Sequence, residues 1–296
     1  MVTILLGGPA VAVADKLEDD YQAIQNAVAK KDAAGVKRLA VELAPLVKAA
    51  VAEAAPVSDE ERAGWSARVA YAKSIGTYVE YALFATAVVS PAATMVDLIS
   101  TLDQQNPKSQ YLENAWGPYF AALGQTGGQA KIPAIAEAAV ENFPNNVNLL
   151  AIVADSALQR GQNDRAAGFA AREIAAFGRP KPEGLSDADW ARERSLTLGR
   201  AYFVVGYVAG LKNDYETANK NLRAALPLIQ GVNSELAPAY FYLGIANYQL
   251  GKLYLSKSQV LDGAKFSDLC SGIPGPYADQ ARHNAYVARN DALNMR

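Results

Sequence analysis

The chain has very little of the residue types on which disulfide and metal chemistry depend. Its 296 residues include one cysteine, Cys270, and one histidine, His283. A single cysteine excludes a disulfide within the chain, and a single histidine excludes a site with several histidine ligands. We expect Cys270 to be a small buried side chain near the end of a helix. We expect His283 to lie on the surface of a terminal helix.

Neither positive nor negative charge is in large excess. The chain has 28 basic and 30 acidic residues, a formal net charge of −2, and the two signs are interspersed. Phosphate binding needs a basic stripe, so nucleic acid is not expected as a partner. Strand signals are nearly absent, and no apolar run reaches the roughly 20 residues of a transmembrane helix. The sequence therefore predicts an all-helical chain without a membrane span.

Groups of residues typical of catalysis are missing as well. The segment 124–131 partly matches a phosphate-binding loop, but it lacks the Gly-Lys-Ser/Thr ending and no strand precedes it. A turn between two helices accounts for its glycines. Carboxylate pairs such as Asp19-Asp20 and Glu60-Glu61 are adjacent, so they point to different faces of a helix. We therefore expect no enzyme activity, no cofactor and no metal site.

What the chain does contain is an internal repeat near its C-terminus. Two segments superpose without a gap at one constant offset, which indicates a repeat and not a chance match of composition. The matched pairs are Tyr202 with Tyr240, Val205 with Leu243, Gly206 with Gly244, Ala218 with Ser256, Leu222 with Val260, and Ala225 with Gly263.

The glycines of this repeat predict closely packed helix pairs. Gly206 and Gly244 lie in runs of helix formers, where glycine costs about 1 kcal/mol relative to alanine. A small residue follows each of them in the second half of its unit, and two small residues that face each other let two helices approach closely. Each unit is therefore predicted to be a helix, a short turn and an antiparallel helix. The turns are expected at 212–214 and 250–252.

These features resemble the tetratricopeptide repeat, a helix-turn-helix unit of about 34 residues. The resemblance is specific over 147–270, and it is weaker over 113–146. It implies a right-handed all-α superhelix, a solenoid of antiparallel helix pairs. Gln230 and Asp268 stand where the family has a closing proline. The three specific units are 147–180, 199–232 and 237–270.

The resemblance also divides the chain. Residues 15–112 are predicted to form degenerate helical hairpins, 113–270 the repeats, and 271–296 a C-terminal capping helix. The apolar residues 1–14 end in Ala12-Val13-Ala14, which is typical of a secretory signal, but no basic residue precedes Lys16. We expect export to the periplasm or the extracellular space. A flexible tail on a cytoplasmic protein is the alternative.

Two helices can be located by their start signals. Ser58-Asp59-Glu60-Glu61 and Ser186-Asp187-Ala188-Asp189 have the form of a capping box, so long helices are predicted near 59–89 and 187–211. Tyr71, Tyr78, Tyr81 and Phe84 lie mostly on one face of the first helix. Core packing against 16–56 is the favoured interpretation of that row.

In tetratricopeptide arrays, particular positions of each first helix line a concave groove, and the resemblance transfers these positions to this chain. Tyrosine and arginine often anchor interfaces, because they bury a large area while they keep a polar end. The alternative is that neighbouring helices cover some of the aromatic rings, Phe203 and Phe241 above all. The predicted binding residues are Asp155, Gln159, Arg200, Phe203, Tyr207, Phe241, Tyr248 and Gln249.

The function implied by the resemblance is that of a protein-interaction scaffold, which binds a protein or peptide segment in the groove. Family members that grip a C-terminal carboxylate carry lysines and asparagines there, and this chain has Arg200 alone. A segment with apolar anchors is therefore the expected ligand. The alternative function is a self-assembling structural protein, a homo-oligomer that pairs through its exposed terminal repeat.

Overall fold

The computed structural model describes residues 9–181 and 183–295. Within these residues the chain forms α-helices and one short 3-10 helix (Gln129–Lys131), and no strand. The prediction of an all-α fold is confirmed. The helices are α1 (Pro9–Ala29), α2 (Ala33–Val51), α3 (Asp59–Ala87), α4 (Ala92–Gln105), α5 (Leu112–Gln125), α6 (Ile132–Ala139), α7 (Val147–Gln159), α8 (Asn163–Ala176), α9 (Asp187–Leu211), α10 (Tyr215–Ala225), α11 (Asn233–Leu253), α12 (Lys257–Ser271) and α13 (Ala278–Asn294).

The chain divides into two compact units, Met1–Ile132 and Pro133–Arg296. In the first unit, each helix from α1 to α5 packs against the next, and α1 also contacts α3. In the second unit, α7 to α13 pack in the same sequential way, and α7, α9, α11 and α13 form a series of contacts. Packing between sequence neighbours is typical of a solenoid of helix pairs. The right-handed sense stays a prediction.

Five of the helix pairs are closed by the same kind of turn. One residue takes the left-handed conformation, and the next residue donates its N–H to the carbonyl five positions earlier over 2.7–2.9 Å. This bond satisfies a carbonyl that the helix end leaves without a partner. The left-handed residues are Lys31, Gly127, Gly161, Asn213 and Leu255, with φ of 56°, 79°, 71°, 62° and 53°.

The residue after the left-handed position starts the next helix. Asp32, Asp214 and Ser256 each accept a hydrogen bond from the main-chain N–H three residues later. The turn and the helix start are therefore one continuous hydrogen-bonded unit.

The predicted starts of the two long helices are confirmed. The helix α3 begins at Asp59 and α9 at Asp187. Ser186 caps α9 as the capping box predicts, because its Oγ accepts from the N–H of Asp189 at 3.1 Å. Ser58 precedes α3 but makes no side-chain capping bond.

The first of the two predicted repeat turns is confirmed and the second is wrong. The chain turns at 212–214 between α9 and α10, but α11 continues through 250–252 and turns only at 254–256. Gly251 suggested a turn, yet it is a packing residue. A Cβ at that position would lie 2.6 Å from the main-chain N of Val260 in α12. The left-handed residues Asn213 and Leu255 are therefore separated by one helical turn more than the offset that the sequence repeat shows.

Close helix approach at Gly206 is confirmed, although its neighbour differs from the predicted one. A Cβ on Gly206 would lie 2.6 Å from Cγ of Leu222, one turn beyond Ala218 in α10. Gly244 faces Ser267 and Gly263 of α12, whereas Ser256 is the N-cap residue of that helix. Small residues do let these helices approach closely. The residues that they face on the second helix lie further along that helix than the sequence predicted.

A buried polar network joins α10, α11 and α12. The amide of Asn247, 1% exposed, donates to Oδ1 of Asn219 at 2.9 Å and to the carbonyl of Leu243 at 2.8 Å. Arg223 donates to Oδ1 of Asn247 at 2.9 Å and to Asp262 at 3.0 Å. A satisfied network of this kind permits few alternative registers.

The expectations for Cys270 and His283 are confirmed. Cys270 is buried in the last turn of α12, and its thiol donates to the carbonyl of Ala237 at 3.3 Å. Burial raises the pKa of this thiol to about 11, so little reactive thiolate forms near neutral pH. His283 is exposed on α13.

The aromatic row of α3 does not form part of the core, which differs from the interpretation that the sequence favours. Tyr71 is 46% exposed and Tyr81 is 43% exposed, while Tyr78 and Phe84 are half-buried. Alanine, leucine and isoleucine side chains on the opposite side of α3 fill the core instead.

We expect Gly206→Ala to lower the free energy of unfolding by about 1–3 kcal/mol, because the new methyl group collides with Leu222. Gly168→Ala is the matched control. Gly168 is exposed in α8, a Cβ there meets nothing within 4 Å, and the change should raise stability by about 0.5–1 kcal/mol. Urea unfolding followed by circular dichroism measures both. Equal effects of the two changes would contradict the close approach of α9 and α10.

We expect Leu255→Asn to raise the free energy of unfolding by about 0.5–1 kcal/mol, because asparagine tolerates the left-handed conformation better than leucine. Leu255 is 82% exposed, so the change removes almost no packing. The control is Leu253→Asn, at a helical position that is 70% exposed, where no gain is expected. A loss of stability in Leu255→Asn would show that its side chain has a structural role.

Candidate functional site

Arg200 links three helices at one end of the predicted binding surface. Its Nε lies 2.8 Å from Oδ1 of Asp155 in α7, and its Nη1 lies 3.0 Å from Oε1 of Glu235 in α11. Burial by itself lowers the pKa of Arg200, but the charges and hydrogen bonds of Asp155 and Glu235 raise it above its ordinary value. The predicted cation and anion of the groove are thus paired with each other, and a ligand does not find them free.

Aromatic side chains continue from Arg200 along α9. The guanidinium of Arg200 lies 5.3 Å from the ring centroid of Phe203, and Phe203 stacks on Tyr207 with centroids 5.5 Å apart. Phe203 is 4% exposed, so neighbouring helices cover it, as the alternative interpretation held. Tyr207 is half-buried and remains partly accessible.

The row then crosses to α11 and to the start of α13. Tyr207 meets the edge of Tyr242 with centroids 5.4 Å apart, and Phe241 packs on Tyr277 at 4.8 Å. Gly210 makes room for the ring of Tyr242, because a Cβ there would lie 2.6 Å from Cδ1 of that ring. Burial raises the pKa of Tyr277 to about 12, and the hydroxyl of Tyr207 beside it acts in the same direction.

Tyr248 anchors the terminal helix. Its hydroxyl donates to Oδ2 of Asp291 at 2.6 Å, and Nζ of Lys252 lies 3.3 Å from the same carboxylate. The hydrogen bond to Asp291 raises the pKa of Tyr248, and the same bond lowers the pKa of Asp291. Tyr248 therefore contributes to the packing of α13 as well as to the binding surface.

A cleft of about 500 Å³ lies between α11 and α13, over Ser267 of α12. Three of the predicted binding residues, Phe241, Tyr248 and Gln249, line it together. Its other lining residues are Gly244, Ile245, Ser267, Gln280, His283, Asn284 and Val287.

The lining of this cleft is rich in amides and includes one imidazole, that of His283. Gln249 and Gln280 are exposed at its edge, and Nε2 of Gln280 donates to Oδ1 of Asn284 at 3.0 Å. No lysine, arginine, aspartate or glutamate is among the side chains that line it. An amide group can both donate and accept, so the edge can satisfy the main-chain groups of an extended segment.

The eight predicted residues therefore fall into separate groups. Asp155, Arg200, Phe203 and Tyr207 form a series in which each contacts the next, while Phe241, Tyr248 and Gln249 line the cleft. Gln159 is exposed at the last residue of α7 and lies outside the cleft.

Sequence reasoning missed Tyr242, Glu235, Tyr277 and the α13 side of the cleft. The offset of the sequence repeat assigned Tyr242 to a position outside the groove. The longer spacing between the left-handed residues of the two turns makes Tyr242 equivalent to Arg200. The sequence carries no signal of this equivalence, because leucine at position 255 does not favour the left-handed conformation. Nothing in the repeat pattern indicates where α13 packs, because that helix follows the last repeat.

Neither the models of known protein families nor the curated protein sequences give a match to this chain. Over residues 9–181 and 183–295, no three histidine, cysteine, aspartate or glutamate side chains form a group that could hold a metal ion. In the same part of the chain, no helix is both long and apolar enough to cross a membrane.

We expect Arg200→Ala to lower the free energy of unfolding by about 1–2 kcal/mol, because Asp155 and Glu235 lose their shared partner in a partly buried site. Arg282→Ala is the control, since its pair with Asp279 is exposed on both sides and should contribute less than about 0.5 kcal/mol. Thermal and urea unfolding compare the two variants. An effect of Arg200→Ala no larger than that of the control would contradict a stabilising role for this three-helix link.

Proposed function

We propose that the protein is a protein-interaction module, and that the cleft between α11 and α13 holds a segment of a partner protein. The observation that supports the proposal is the convergence of Phe241, Tyr248 and Gln249 on one cleft. Its volume of about 500 Å³ is within the range of natural ligand pockets, roughly 300–1,000 Å³.

The chemistry of the cleft describes the segment that fits. Phe241, Ile245 and Val287 offer an apolar floor for one side chain of the ligand. The amides of Gln249, Gln280 and Asn284 can bond to its main chain, as in recognition of extended peptides. Because the lining has no lysine or arginine to pair with a terminal carboxylate, the proposed ligand is an internal, uncharged segment with an apolar anchor.

Self-assembly is the second candidate function, and one observation favours it. Tyr286 and Leu293 lie two turns apart on α13 and are 64% and 77% exposed. They lie about a third of a turn around α13 from its buried alanines. A second copy could cover these side chains, as the next repeat does in a longer array.

The proposal has no catalytic step. It includes export directed by residues 1–14, of which 1–8 lie outside the described residues. N-terminal sequencing of the protein isolated from cells tests that part, since a mature chain that starts at Asp15 is expected.

A photo-crosslinking residue in place of Gln249, at the edge of the cleft, should give a covalent adduct with a specific partner in native cells. The same residue in place of Gln230, which is exposed after α10 and outside the cleft, should not give that adduct. Gln249→Arg should weaken binding of the identified segment to the purified protein by about tenfold or more, because it fills the cleft with a charged side chain.

The crosslinking results distinguish partner binding in the cleft from self-assembly. An adduct of twice the mass of the chain supports self-assembly in place of partner binding. Identical adducts from positions 249 and 230, or binding that Gln249→Arg leaves unchanged, would refute the cleft as the binding site.

A further inference from the structure

The first compact unit carries a surface row of tyrosines that the predicted groove residues do not include. The row consists of Tyr21 in α1, Tyr71, Tyr78 and Tyr81 in α3, and Tyr111 directly before α5, and it is called the tyrosine ladder below. Neighbouring ring centroids along the row are 5.3–6.4 Å apart. The ladder is therefore continuous from the first helix to the fifth.

The rings of the ladder are accessible. Tyr71 and Tyr81 are 46% and 43% exposed, and the other members are half-buried. Tyr21 meets both Tyr71 and Tyr78 edge-on, at interplanar angles of 89° and 87°. Partly exposed rings of this kind can contact a flat apolar group of a ligand.

The hydroxyl groups of the ladder are largely available for a ligand. Tyr71 donates to Oε2 of Glu18 at 2.5 Å. In the part of the chain that the structure describes, the hydroxyls of Tyr21, Tyr78, Tyr81 and Tyr111 have no hydrogen-bond partner in the protein. Tyrosine hydroxyls are protonated at neutral pH and can donate, and burial raises the pKa of Tyr78 further.

The ladder faces of α3 and α5 are uncharged, and α1 adds one acidic side chain, Glu18, beside Tyr71. Ala67, Ser74 and Ala85 share the ladder face of α3 at helical spacing, and Pro118 and Ala121 follow Tyr111 on the same face of α5. A ligand that pairs charges finds few partners here, apart from Glu18 beside Tyr71. A surface of ring faces and hydroxyl donors fits a ligand that is uncharged, has flat apolar groups and offers mainly acceptors.

We propose that the tyrosine ladder binds an uncharged, proline-rich segment of another protein in the polyproline II conformation. Proline offers a carbonyl acceptor and no N–H donor, and this helix leaves all its carbonyls free for other partners. Its turn of about 9 Å is longer than one step of the ladder, so prolines one turn apart contact different rings. Aromatic-lined grooves are the usual recognition surface for such segments.

The test uses the full chain and a fluorescein-labelled peptide of ten prolines, with fluorescence anisotropy as the readout. A labelled decamer of alanine, serine and glycine is the peptide control, and maltohexaose is the test for a carbohydrate ligand. We expect saturable binding of decaproline, no binding of the control decamer, and no competition by maltohexaose.

Two ladder variants and two controls locate the binding. Tyr81→Ala should weaken decaproline binding by about tenfold, since it removes a half-exposed ring. Tyr78→Phe keeps the ring and its packing, and it should weaken binding by about threefold through the lost hydroxyl. Tyr286→Ala on α13 and Gln249→Arg at the cleft should leave the affinity unchanged.

Several results would overturn the proposal. These are no binding of decaproline at millimolar concentration, equal binding of the control decamer, displacement by maltohexaose, or wild-type affinity in both ladder variants. Circular dichroism of each variant confirms that the fold is retained. Because Gln249→Arg reports on the cleft and Tyr78→Phe on the ladder, failure of this proposal is distinguishable from failure of the proposed function.

Discussion

The left-handed residue that closes each hairpin is the constraint on which the rest of this structure depends. In five helix pairs, one residue at positive φ lets the following N–H bond back to a carbonyl of the preceding helix. The same short segment ends one helix, turns the chain and starts the next helix. Glycine and asparagine supply this conformation at Gly127, Gly161 and Asn213 with little strain, whereas Leu255 adopts it against its preference.

The turns fix where each helix ends and the next begins. The register between paired helices is determined by the contacts along their length. At α9 and α10, Gly206 admits Leu222, and at α11 and α12, Gly251 admits the backbone near Val260. The network around Asn247 then ties α10, α11 and α12 to one register, because any slip would leave buried amide groups without partners. The burial of apolar side chains and the hydrogen bonding of buried polar groups therefore favour the same register of these helices.

Each candidate surface is formed by every second helix of its unit. In the second unit, α7, α9, α11 and α13 bring Asp155, Arg200, the aromatic row and the cleft into one series. In the first unit, α1, α3 and the start of α5 carry the tyrosine ladder. Charges are paired internally in the first of these surfaces and almost missing from the second. Both proposals therefore assign these surfaces uncharged partner segments, in which shape and hydrogen bonding decide recognition.

The sequence by itself determined the all-α class, the starts of α3 and α9, the turn after Leu211 and the close approach at Gly206, because local propensity, capping and glycine content decide these features. Through the resemblance to the tetratricopeptide repeat it also predicted Phe241, Tyr248 and Gln249 as groove residues, and these three line one cleft. Only the tertiary structure decided that α11 continues through Gly251, that Arg200 is paired, that Phe203 is covered, and that Tyr71 and Tyr81 are exposed. Each of these depends on which residue of another helix lies opposite, and a glycine inside a helix looks the same in sequence as a glycine in a turn.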